Sequence, residues 1–229
     1  MTDTTLSTQE SIFTSTARDW SSDMTTFKGV PWGKAMMWIF LLSDTFIFTC
    51  FLVGYMVMRM TVTEAWPVAS EVFALTVWGV SVPLLLIAIM TFILITSSGT
   101  MAMAVNMGYQ RRKWAVFWLM LATALLGASF VGMQCYEWSK LIIDEGIRPW
   151  GYAPDHDLGA PQFGSIFFMV TGFHGLHVSV GVIYLITVAI RVVRGKYDHT
   201  NFEIVEFNGL YWHFVDLVWV FIFAFFYLW

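Results

Sequence analysis

Five long apolar runs dominate this 229-residue sequence and leave it few folds to choose from. They are "AMMWIFLLSDTFIFTCFLVGYMVM" (35–58) and "VFALTVWGVSVPLLLIAIMTFILIT" (72–96), then a third from "RRK" (111–113) to about residue 138. A fourth covers about 163–190, and a fifth covers about 207–229 and closes with "FYLW". Crossing the hydrocarbon core takes about 20 mostly apolar residues as a helix. A backbone in lipid must satisfy its own hydrogen bonds, which restricts runs this long to helices. The expected fold is therefore all-α, a polytopic membrane protein with five transmembrane helices. Only 12% of the residues are charged and 58% are hydrophobic, against about 25% charged in soluble domains. Pro83 lies inside the second run, where its missing N–H predicts a kink.

The rest of the chain reads as connections. Residues 1–33, rich in Ser and Thr, form an expected flexible tail ahead of a membrane domain at 34–229, with "PWGK" (31–34) at the headgroup level. The tail lacks the basic and apolar regions of a secretion signal. Five spans put the tail and the expected 97–113 and 191–206 loops on one side. That side carries Arg18, Lys28, Lys34, Arg111, Arg112, Lys113, Arg191, Arg194 and Lys196; the other carries Arg59, Lys140 and Arg148. The excess predicts a cytoplasmic N-terminus and an external C-terminus. Cys50 and Cys135 sit in apolar runs and match no redox or zinc spacing. No basic surface points to nucleic acid, and no inverted repeat suggests a transporter.

Six ionisable residues fall inside the runs: Asp44, Glu137, His174, His177, His213 and Asp216. A charge at mid-bilayer costs roughly 2.5–3.5 kcal/mol, so such residues face the bundle and find partners. Helical rise puts Asp44 about 15 Å beyond Lys34, His213 and Asp216 about 10–15 Å from Glu206, and His177 about 21 Å from Arg191. Glu137 lies about 36 Å along its helix from Lys113, near the opposite interface. His174 and His177 share one helix face, as do His213 and Asp216. Gly172 and Gly175 lie beside the first pair, where small residues admit a neighbouring helix. Two readings of the cluster stand open, and Asp44 has its own. The histidines and carboxylates could ligate copper, iron or zinc, or form hydrogen bonds that lock helices together. Asp44 could serve proton exchange, contact a partner, or pair with a histidine on another helix.

The motifs also carry a family resemblance. "FGSIFFMVTGFHGLHVSVGVIYL" (163–185) resembles the signature helix of subunit III of haem-copper terminal oxidases. "YWHFVDLVWVFIFAFFYLW" (211–229) resembles its C-terminal helix, "GMQCYEW" (132–138) its Gln-x-x-Glu helix end with Gln134 and Glu137, and "WIFLLSDTFIF" (38–48) its helix with an acid after Ser. The family often has Glu at that last position; here it is Asp44. The resemblance covers about residues 30–229, and the five runs match helices three to seven of the longer members.

The resemblance implies a non-catalytic core subunit of an aerobic respiratory oxidase in the bacterial inner membrane. It implies no haem or copper in this chain, because those sit in partner subunits, and it implies bound phospholipid. The implied partners are oxidase subunit I directly, subunit II and a small subunit IV. Asp44 and Arg191 match positions near the family's lipid and proton-linked site, while Glu137, His174, His177, His213 and Asp216 form the intramembrane polar set. The "GSIFFMVTGFHGLHV" wording and the long 139–162 loop favour cytochrome c as electron donor. Asp44 and the five-helix form point toward the quinol-oxidising branch. An accessory role in a nitric oxide reductase, and a membrane metalloenzyme using His174, His177 and His213, are more distant alternatives.

Overall fold

The computed structural model describes residues 30, 32–67, 72–77, 80–152, 160–195 and 203–229. Five helices in this set are long and apolar enough to cross a membrane: α1 (Trp32–Thr61), α2 (Leu85–Tyr109), α3 (Lys113–Ile143), α4 (Gln162–Val193) and α5 (Glu203–Phe223). A π-helical turn, Ala224–Leu228, continues α5. The five-helix, all-α membrane fold expected from the apolar runs is the fold observed. The expected tail at 1–33 lies outside the described residues up to position 29, and α1 begins at Trp32, just inside it.

The second run departs from expectation. Its helix starts at Leu85, and the residues ahead of it form a short antiparallel hairpin, β1 (Ala74–Val77) with β2 (Val80–Pro83), in which Ala74 faces Pro83. Pro83 therefore ends a strand and kinks no helix. β-branched Thr76, Val77, Val80 and Val82 suit strands, and Pro at a strand end gives up no ladder bond there. Leu84 then turns the chain into α2 with a positive φ of 58°. At its other end α2 runs on to Tyr109, so the loop expected at 97–113 shrinks to residues 110–112. The hydroxyls of "TSSGT" (96–100) do not break the helix, because they bond its own carbonyls: Thr96 to Phe92, Ser97 to Leu94 and Thr100 to Ser97. A second small hairpin, β3 (Ile147–Arg148) with β4 (Gly151–Tyr152), follows α3.

The helices run alternately up and down. α3 packs between α2 and α4, and α5 closes against both α2 and α4. Trp212 of α5 wedges between Gly127 of α3 and Gly181 of α4. A Cβ at Gly181 would come within 3.0 Å of the Trp212 and Tyr211 rings. Helix packing in lipid relies on such close approach. Of the two glycines expected to admit a neighbour, Gly172 does so: a Cβ added there would lie 3.1 Å from the Trp138 ring of α3. Gly175 instead faces open space. Helix α1 lies at the edge. Only 17% of its span is buried, against 44% for α5, so its attachment depends on a few specific contacts.

Candidate functional site

Three polar contacts hold α1 to the bundle at three depths. At the end bearing Arg111–Lys113, Lys34 Nζ lies 2.5 Å from Glu206 Oε1 of α5, and Tyr109 of α2 donates to Glu206 Oε2 at 2.8 Å. One carboxylate thus joins three helices. At the opposite end, Arg59 donates to the Trp229 carbonyl at 2.6 Å and to Tyr55 Oη at 3.1 Å, with its guanidinium 4.4 Å from the Trp229 ring centre. Between them, Asp44 of α1 meets His177 of α4: Nε2 to Oδ2 is 2.9 Å. The line between these atoms misses hydrogen-bond alignment, so the contact is a close ion-pair approach rather than a directed bond.

The other ring nitrogen is bonded within its own helix. His177 Nδ1 lies 2.8 Å from the Phe173 carbonyl of its own helix. A carbonyl only accepts, so Nδ1 carries a hydrogen. Nε2 faces the Asp44 carboxylate, so the imidazole and the carboxylate offset each other's cost of leaving water. Asp44 is buried and His177 half-buried. Phe48, Phe173 and Tyr211 surround the pair, and Tyr211 Oη donates to the His177 carbonyl at 2.9 Å.

His174, one turn away, points elsewhere. It is fully buried, and its Nε2 donates to the Val215 carbonyl of α5 at 3.1 Å. Its ring packs among Phe130, Trp219 and Phe48, and its Nδ1 has no protein partner. His213 and Asp216 face α2 instead. Ser98 Oγ lies 2.6 Å from His213 Nδ1 and also neighbours the Asp216 carboxylate. Glu137, near the far end of α3, is buried and accepts from Tyr227 of the π-helical turn at 3.1 Å. Gln134, one turn back, is buried with neither amide atom partnered.

The polar residues read from the sequence are thus distributed among four separate contacts rather than one cluster. His213 is not brought to His174 and His177. Among the described residues, no three of His, Cys, Asp and Glu are grouped to hold a metal ion. Arg191 is exposed in the last turn of α4, about 21 Å along the helix from His177, so it does not join Asp44. His156 and His199 lie outside the described residues.

Several contacts lie beyond what the sequence reveals. Trp212 and Trp219 of α5 donate to Ser97 and Thr91 of α2 at 2.9 and 3.0 Å, and Ser97 falls in the stretch expected to be a loop. The Lys34–Glu206 pair does carry a readable signal: opposite charges at the membrane-facing ends of two helices that begin on the same side.

Comparison with known proteins identifies the family. The family model described as cytochrome c oxidase subunit III matches residues 9–229. The chain is 34% identical over 192 residues, 83% of its length and 86% of the relative's, to a Staphylococcus aureus protein named "Probable quinol oxidase subunit 3". It is 32% identical over 192 residues, 83% of its length and 84% of the relative's, to a protein of Alkalihalophilus pseudofirmus named "Cytochrome c oxidase subunit 3". With five spanning helices and a match along nearly the whole chain, this protein belongs to the cytochrome c oxidase subunit III family of the haem-copper oxidases.

Proposed function

We propose that this subunit packs on the catalytic subunit I of its oxidase, carries no catalytic centre of its own, and supports proton supply and endurance during turnover. The observation that carries the reading is the Asp44–His177 pair, an acid and an imidazole brought together at a contact between α1 and α4. Haem and copper belong to the partner subunits in this reading, and phospholipid covers the exposed apolar face of α1. The Lys34–Glu206–Tyr109 end faces the cytoplasm, as the Lys and Arg excess favours. Asp44 is the proton-linked residue, and Arg191, on the same reading, serves a lipid headgroup at that interface rather than Asp44.

Cytochrome c is the proposed electron donor, supported by the wording of the signature helix and the long connection from Asp144 to Pro161. Quinol is the second reading, favoured by the name of the Staphylococcus aureus relative. Purified complex given reduced cytochrome c or a quinol distinguishes them by which donor drives oxygen consumption. The supporting role is tested by comparing intact complex with complex stripped of this chain. The stripped complex is expected to start at a comparable rate and then inactivate sooner, with slower proton uptake. Identical endurance and uptake would contradict it.

A further inference from the structure

The geometry points to a second proton-handling element in this subunit: a hydrated relay along one face of α5, from Glu206 through His213 and Ser98 to Asp216. This inference rests on the reading that the subunit assists proton supply, and it names the groups that would carry it.

Glu206, Gly209, Leu210, His213 and Asp216 recur at the three- and four-residue spacing that lines up side chains on a helix. Glu206, Gly209, Leu210 and His213 line an open cavity of about 220 Å³ in the groove between α5 and α2, where Ala102 and Val105 form the α2 side. A water occupies about 30 Å³ of liquid, so the cavity has room for several. Its two polar walls are an acid and an imidazole about 10 Å apart along the helix, a gap that water bridges and direct contact does not. Beyond the cavity, His213 Nδ1 lies 2.6 Å from Ser98 Oγ, and Ser98 neighbours the Asp216 carboxylate.

One further observation marks this face as wet. Asp216 Oδ1 is buried without a protein partner. Buried polar atoms without protein partners mark ordered water. The charged and titratable groups around the entrance are Lys34 of α1, Tyr109 of α2, and Glu203 and Glu206 of α5. Lys34 and Tyr109 hold the Glu206 carboxylate at the mouth, and Glu206 remains partly exposed.

The steps are proton transfers only. The Glu206 carboxylate takes a proton from water outside and passes it to a cavity water as another passes from water to His213 Nε2. His213 then releases its Nδ1 hydrogen to Ser98 Oγ, whose own hydrogen passes to Asp216. Each step breaks one O–H or N–H bond and forms another, and no electrons move. Asp216 stands half-buried about 15 Å from Glu206 along the helix, as the inner end of the relay.

The test uses the assembled oxidase and a pH-indicating dye to follow proton uptake on turnover. His213→Gln removes the imidazole. Ala102→Leu fills the cavity from an exposed position on α2 and leaves every ionisable group in place. Both variants are expected to slow uptake severalfold with haem content unchanged. Wild-type uptake in either variant overturns the relay. If both variants behave as wild type while complex stripped of the subunit is slow, the relay fails and the broader proton-supply reading stands. If the stripped complex also takes up protons at the full rate, the broader reading fails with it.

Discussion

His177 donates its Nδ1 hydrogen to the Phe173 carbonyl while its Nε2 sits 2.9 Å from the Asp44 carboxylate, so an imidazole and a carboxylate meet between two helices inside the bilayer. Asp44→Ala leaves a buried imidazole without its partner, and the cost of an unsatisfied buried group is about 1–3 kcal/mol. The double variant Asp44→Ala with His177→Phe is expected to recover part of that loss, because it removes both polar groups. Thermal unfolding of the purified complex across all four members of this cycle measures the coupling. Strictly additive losses would show that the two residues do not pair.

Asp44→Asn preserves shape and removes the acid. Assembly is expected to persist while the number of turnovers before inactivation falls. Counting oxygen consumed until activity is lost checks this, and unchanged endurance would reduce Asp44 to a structural role.

Gly181 and Gly175, on one helix, are expected to respond in opposite ways. Gly181→Val drives methyls into the Trp212 and Tyr211 rings, and overpacking of this kind costs about 1–3 kcal/mol. Gly175→Ala meets nothing within 4 Å and gains about 0.8–1.0 kcal/mol of helix propensity before any membrane effect. A lower melting temperature for the first and an equal or higher one for the second is the expected pattern.

How much of this is legible in the sequence depends on distance along the chain. Helix count, the shared face of His174 and His177, and the depth of Glu137 follow from local spacing. The hairpin before α2 does not, because hydropathy averages over Val, Leu and Trp without separating strand from helix. The polar "TSSGT" segment resembles a loop end because side-chain bonds to the helix's own carbonyls leave no trace in composition. Which histidine Asp44 meets depends on the rotation of α1 against α4, which one sequence does not encode locally. The same holds for His213: its spacing to Asp216 is visible, but its turn toward Ser98 rather than toward His177 is not.

Glu137 gives a prediction at the far end of the bundle. Glu137→Gln keeps an acceptor for the Tyr227 hydroxyl and is expected to cost little. Glu137→Leu leaves that hydroxyl buried and unpartnered, and is expected to cost about 1–3 kcal/mol. Melting temperatures of the two variants in the complex separate these outcomes, and equal losses would show that the bond contributes nothing.

The most direct test of the central claim is where the redox centres go when this chain is removed. The tagged chain should capture a complex that absorbs as haem, contains copper and consumes oxygen. Mild detergent stripping of the chain should leave all haem and copper with the remaining subunits. Stoichiometric haem or copper travelling with the isolated chain, or oxygen reduction by that chain alone, would contradict the account.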